Sequence, residues 1–154
     1  MPMSRRSIDL AIPSEFGWER VAMEVAGTVA RLMGFPQDRV DDIRTAVLET
    51  TLNAIEHGNQ FDAAKPVHIS LLPGNERLEI NIRDRGSRHF EPPNGAPDLA
   101  AQVSGAAPRR GWGMFLARSL VDELELASTR GGHRVRMVVS LPVEQRNRAP
   151  VHPD

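Results

Sequence analysis

The sequence predicts an α+β protein, a two-layer α/β sandwich with a mostly antiparallel sheet and helices on one face. Three observations lead there. Short apolar runs alternate with period two, and most are paired across a turn. Stretches with helical spacing separate the first such run from the rest and recur before the last hairpin. The chain has 154 residues, with no internal repeat and no composition break that would divide it into two domains.

Each element follows from its residues. Ile8, Leu10 and Ile12 alternate and read as a short strand that stops at Pro13. Ser14 is placed to cap a helix, with Glu15 in its first turn. Val21, Val25, Val29 and Leu32 then recur at helical spacing as far as Gly34, and Phe16 and Trp18 before them are assigned to the core rather than to a partner surface. Pro36 breaks that helix, and Asp38 can cap the next. A second helix runs from about Arg39 to His57, with Val40, Ile43, Val47 and Ala54 as its apolar stripe and Gly58 as its C-terminal cap. Val67, Ile69 and Leu71 face Leu78, Ile80 and Ile82 across PGNE as an antiparallel hairpin, with His68 pointing outward. Residues 84–110 carry prolines and glycines without periodicity and form a long loop, with one short helical turn at 98–103. A third helix follows in GWGMFLARSLVDEL. A last hairpin joins Leu124 and Leu126 to Val135, Met137 and Val139 through Gly131-Gly132. The domain therefore spans 5–141, and the polar residues 142–154 read as a disordered tail.

Composition excludes several function classes. With 19 basic against 20 acidic residues the net charge is −1, so nothing steers the chain onto a phosphate backbone and direct nucleic-acid binding is not expected. Aromatics at 5% leave little for a base-stacking surface. No cysteine is present, which removes disulfides, thiolate metal sites and cysteine nucleophiles. No apolar run nears the roughly 20 residues of a membrane helix, and the start lacks a signal peptide's apolar segment. The expectation is a cytoplasmic protein that uses oxygen and nitrogen chemistry.

Three features carry that chemistry. Glu49 and Asn53 share one helical face by their i, i+4 spacing, and His57 extends the row. The carboxylate can take a proton, and the amide oxygen is a hard ligand suited to Mg²⁺. Asp84-Arg85-Gly86 closes an apolar strand, where an acid can accept from an exocyclic amine while glycine admits a flat ligand. Gly111-Trp112-Gly113 opens a helix, where exposed N–H groups and the dipole favour an anion. Each alone is equally a polar face, a turn or a hinge. In this order they outline a nucleotide site, with adenine by Asp84, phosphates at Gly111–Gly113 and Mg²⁺ between the phosphates and Asn53.

These residues resemble the GHKL (Bergerat) ATP-binding fold of gyrase, MutL and sensor histidine kinases. The chain looks most like the small anti-sigma factor serine/threonine kinases, over about residues 5–141. ETTLNAIEHG resembles the N-box, IRDRGSRHFEP the G1 box, and GWGMFLARSLVDELEL with GGHRVRMVVSLP the G2 region and closing hairpin. No phosphoacceptor-histidine helix precedes the domain, so a two-component histidine kinase is not expected. One departure stands out: Arg88 replaces the second glycine of Asp-x-Gly-x-Gly.

The resemblance implies ATP and Mg as cofactors, and it implies roles. Glu49 would be the general base, Asn53 the Mg²⁺ ligand, and Asp84 the adenine ligand, with Gly86 against the ring. Gly111 and Gly113 would bind phosphates, and residues 91–110 would form the ATP lid. Arg109 and Arg110 at the lid's end would either reach the γ-phosphate or keep the lid solvated. The substrate would be a STAS-type anti-anti-sigma protein that competes with a sigma factor for the kinase, and a homodimer is implied. Two rival readings are a catalytically silent nucleotide-binding module that sequesters a partner and a free-standing GHKL ATPase.

Overall fold

The structure is a computed structural model that describes residues 6–87 and 112–146. Strand β1 (Ile8–Ile12) leads to helices α1 (Glu19–Met33) and α2 (Gln37–Asn53), and α2 continues into one π turn (Ala54–Gly58). A hairpin of β2 (Val67–Pro73) and β3 (Arg77–Asp84) comes next. Helix α3 (Trp112–Leu120) and a hairpin of β4 (Glu123–Thr129) and β5 (Gly132–Ser140) complete the domain. The strands make one antiparallel sheet in the order β1-β2-β3-β5-β4. The α+β class, the antiparallel sheet and every expected strand are observed.

Register explains why helices cover only one face. Leu10, Ile69, Ile82, Val135 and Leu126 lie side by side across the sheet, as do Ile8, Leu71, Ile80, Met137 and Leu124. Period two puts both rows on the same face, and all but Ile8 and Leu126 at the sheet's edges pack with Val40, Ile43, Val47 and Ile55 of α2 and the π turn. Each fully buried aliphatic side chain there contributes about 1.5–3 kcal/mol. The intervening row, Asp9, Ser70, Asn81, Arg136 and Glu125, is polar and lies on the opposite face. Arg136 there pairs with Glu79, Glu123 and Glu125.

The region before α1 departs from the sequence reading. Helix α1 starts at Glu19, and Ser14 is not its cap. Buried Ser14 instead donates from Oγ to the Lys65 carbonyl at 2.5 Å. Gly17, at φ 104°, turns the chain between them and donates its N–H to Glu19. The inward face of α1 is also different. Val29 is buried and Val25 packs against the core as expected, but Val21 and Leu32 are exposed, and Ala22, Ala26, Gly27 and Ala30 fill the rest of the buried face. Small residues win the inner positions because they let α1 approach α2 closely. A Cβ at Gly27 would stand 2.9 Å from the side-chain carbons of Arg44.

Phe16 and Trp18 are not core residues: they are 63% and 45% exposed. Phe16 stacks edge-on against Phe61, with ring centroids 4.8 Å apart, on the surface. Helix α2 begins after Pro36, without a side-chain cap from Asp38. Within the segment expected as a disordered tail, Val143–Gln145 forms one 3-10 turn, and Arg146 donates to the Leu141 carbonyl. Among the described residues no helix is long and apolar enough to cross a membrane.

Candidate functional site

Glu49 and Asn53 stand one turn apart near the end of α2, both half-buried. The first turn of α3 rests on them. A Cβ at Gly113 would lie 2.8 Å from Oε2 of Glu49 and 3.7 Å from both amide atoms of Asn53. Glycine at 113 is therefore what lets backbone approach the acid–amide pair. Burial pushes the Glu49 carboxyl above its ordinary range. A carboxylate raised this way is a better proton acceptor near neutral pH than an exposed one. Oδ1 of Asn53 and the Glu49 carboxylate are hard oxygen donors side by side. That donor type fits Mg²⁺, which takes few protein ligands and completes its shell with phosphate and water oxygens.

Asp84 ends β3 on the helix-facing side of the sheet. Two glycines make room for it, and a third packs against one of them. A Cβ at Gly58 would stand 2.3 Å from Cγ and Oδ2 of Asp84, and one at Gly132 would stand 1.9 Å from its carbonyl oxygen. Gly86 is buried against the Gly58 carbonyl, where a Cβ would come within 2.1 Å, a backbone contact that the ring-packing role did not anticipate. Oδ1 of Asp84 accepts from the Gly86 N–H at 2.8 Å and lies 2.9 Å from Nδ1 of His133.

The π turn positions Gly58. Its bonds span five residues, as in Asn59 N–H to the Ala54 carbonyl at 2.8 Å. The widened turn carries Gly58, rather than His57, beneath Asn53 and Ala54. A crevice is accordingly lined by Thr50, Asn53, Gly58, Asp84, Leu126 and His133. The row Glu49, Asn53, His57 expected from a continuous α-helix thus ends at Asn53. A larger open depression of about 580 Å³ borders the other side of β3, with Asp9, His68, Ser70 and Arg83 in its wall. The acid–amide pair does not reach it, so the crevice under α2 is the candidate site.

Asn59 locks the arrangement. Its buried amide donates to Ser14 Oγ at 3.0 Å and to the Lys65 carbonyl at 2.7 Å, and its Oδ1 accepts from the Arg85 N–H at 2.7 Å. All three bonds are to residues distant in sequence or across a loop, so no local pattern announces them. Sequence reasoning gave no site role to Asn59, to Gly58, expected only as a helix cap, or to His133. The one available signal was the HGN triplet directly after the acid–amide helix. Of the expected site residues, the structure brings Glu49, Asn53 and Gly113 together, lines the crevice with Asn53 and Asp84, and sets Gly86 against the Gly58 backbone beside Asp84. Arg88, the 91–110 lid with its expected turn at 98–103, Arg109, Arg110 and Gly111 lie outside the described residues.

Comparison with known proteins shows the family of the chain. Residues 13–139 match the family described as histidine kinase-like ATPase domain. The serine-protein kinase RsbW of Bacillus cereus (strain Q1) is 25% identical over 130 residues, covering 80% of this chain and 79% of the relative. Those of Bacillus thuringiensis (strain Al Hakam) and Bacillus velezensis are 26% identical over 128 residues, with the same coverage. Among solved structures, the RsbU and RsbW domains of Rv1364c from Mycobacterium tuberculosis share the fold, with a TM-score of 0.62 and 17% identity. That match takes in 88% of this chain and 32% of the other.

Proposed function

The chain belongs to the histidine kinase-like ATPase domain family, and we propose that it is an ATP-dependent protein-serine/threonine kinase and anti-sigma factor, acting in the cytoplasm on a STAS-type anti-anti-sigma protein. The observation that carries the reading is the half-buried Glu49 carboxylate beside Asn53, under the first turn of α3. An ATP-binding fold with no such base would suit binding alone. The Bacillus relatives named as serine-protein kinases support the same assignment.

In the proposed reaction Glu49 accepts the proton of the substrate hydroxyl as that oxygen attacks the γ-phosphorus, and ADP leaves with the bridging oxygen as its bond to the γ-phosphorus breaks. Burial prepares Glu49 for this task by raising its proton affinity. Asp84 accepts a hydrogen bond from the adenine amine. Gly111 and Gly113 would bind the phosphates, where the helix dipole favours negative charge. Asn53 would hold Mg²⁺, which neutralises phosphate charge when bound. Arg109 or Arg110 adds positive charge near the transferring group. Most of the rate then comes from positioning and charge neutralisation. The exposed Phe16, Trp18, Val21 and Leu32 suit a chain whose work is done on protein partners, as a homodimer that holds a sigma factor when its substrate is phosphorylated.

Incubating the full chain with labelled ATP and a STAS-domain protein tests the reading, with label expected on a serine or threonine of that protein. Tight ATP binding without transfer to any such protein would point to a sequestering module. Rapid hydrolysis without a partner would point to a free-standing ATPase. Asn53→Ala is expected to remove the Mg²⁺-dependent part of ATP affinity, and an unchanged Mg²⁺ titration would overturn its assignment. Asp84→Asn removes the charge from a hydrogen bond worth about 1.5–3 kcal/mol. ATP affinity should fall about tenfold or more, and an equal loss for GTP would contradict adenine recognition.

A further inference from the structure

We propose that His133 is a positioning residue that sets the site's preference for an adenine base, an inference that rests on Asp84 being the base-recognising carboxylate. His133 lies directly opposite Asp84 in the β3–β5 register, on the helix-facing side of the sheet. Their side chains are 14% and 11% exposed, and both line the crevice that also contains Asn53.

The geometry defines what His133 does. Oδ1 of Asp84 has two neighbours, the Gly86 N–H at 2.8 Å and Nδ1 of His133 at 2.9 Å. A carboxylate accepts, so Nδ1 carries a proton and donates to it. The terminal torsion of an aspartate is broad and two-fold, so one donor alone leaves the group free to swivel. Two donors on the same oxygen, one from the loop after β3 and one from β5, fix it. Oδ2 is then held on the side of Gly58, where the absent Cβ leaves its space.

Fixing the carboxylate creates selectivity. An aspartate that can turn will accept equally from the amine of adenine or from the ring N–H and amine of guanine. A fixed Oδ2 offers a single acceptor position. Adenine satisfies it with its amine, whereas guanine set in the same pose presents a carbonyl oxygen and is repelled. Discrimination of this kind is a difference between affinities and depends on the repulsive contact as much as on the attractive one.

The test measures ATP and GTP affinities of the full chain by calorimetry, with thermal melting as a check on folding. His133→Ala is expected to lower ATP affinity about tenfold, the worth of one charge-assisted hydrogen bond, and to change GTP affinity far less, so the ATP:GTP ratio collapses. His133→Asn, whose Nδ2 can donate from the place of Nδ1, should restore most of the ratio. A folded Asn variant that stays as unselective as the Ala variant would overturn the proposal. So would an Ala variant with the original ratio: if Asp84→Asn has lost ATP in parallel, His133 alone is misassigned. If Asp84→Asn also binds as before, the reading of the crevice as the base site has failed and takes this inference with it.

Discussion

Glu49→Gln is expected to lower phosphoryl transfer to protein by about 10²- to 10⁴-fold, the usual contribution of a positioned general base, while ATP binding persists. Glutamine keeps the shape and an oxygen beside Gly113 but cannot take the proton. A single-turnover assay at saturating ATP reads the chemical step directly, and an undiminished rate would remove Glu49 from the mechanism. The original chain should also show a rate that rises with pH as Glu49 ionises, with its midpoint above the usual carboxylate range because burial disfavours the charge. Stability runs the other way. With the folded-state pKa raised, Glu49's contribution is fully present below its unfolded value and is lost as pH rises through the folded one. At neutral pH the fold carries a partly buried charge that glutamine lacks. The variant should therefore melt no lower than the original at pH 7, and any advantage should shrink in acid. Loss of activity without loss of stability would mark Glu49 as a residue kept for chemistry.

Gly58→Ala is expected to have the next largest effect, and through geometry alone. The added methyl would stand 2.3 Å from Cγ and Oδ2 of Asp84. Aspartate is too short to bend aside while Gly86 and His133 hold its other oxygen. Either the carboxylate leaves its donors or the π turn shifts outward. The expected result is a loss of ATP affinity of tenfold or more, on the scale of one lost charge-assisted hydrogen bond, together with about 1–3 kcal/mol of destabilisation from overpacking. Chemical denaturation measures the second effect and calorimetry the first. Wild-type ATP affinity in a folded Ala variant would show that Asp84 does not need this seat.

Much of the fold was legible because the sheet repeats with period two. Val67, Ile69 and Leu71 against Leu78, Ile80 and Ile82 announce both the hairpin and its buried face. Glu49 and Asn53 were legible as a pair because helical spacing places them together whatever surrounds them. What stayed hidden depends on contacts between distant residues. Ser14 looked like a cap because capping is read locally, yet its hydroxyl is used by Lys65 and Asn59. The α1 stripe was half right: Val25 and Val29 do turn to the core, but Val21 and Leu32 are exposed, and small residues take the positions against α2. Here the closeness of two helices outweighed hydrophobicity. His133 sits in the GGHRV stretch of the closing hairpin without any role read from it, and only strand register places it against Asp84.

The three hydrogen bonds of Asn59 also bear on how the chain assembles. They tie Ser14, Lys65 and Arg85 to one amide, and the partners lie 45, 6 and 26 positions away. Closing such separations costs chain entropy before any contact rewards it, so contacts of this kind form late. Helix α2 and the β2–β3 hairpin can form from neighbours in sequence, but the seat of Asp84 is complete only when β1, α2 and β3 have all arrived. Nucleotide binding competence should therefore appear in the final phase of refolding, after most helix and sheet signal has returned. Bound nucleotide would stabilise only chains that have finished, and would so separate complete from nearly complete molecules.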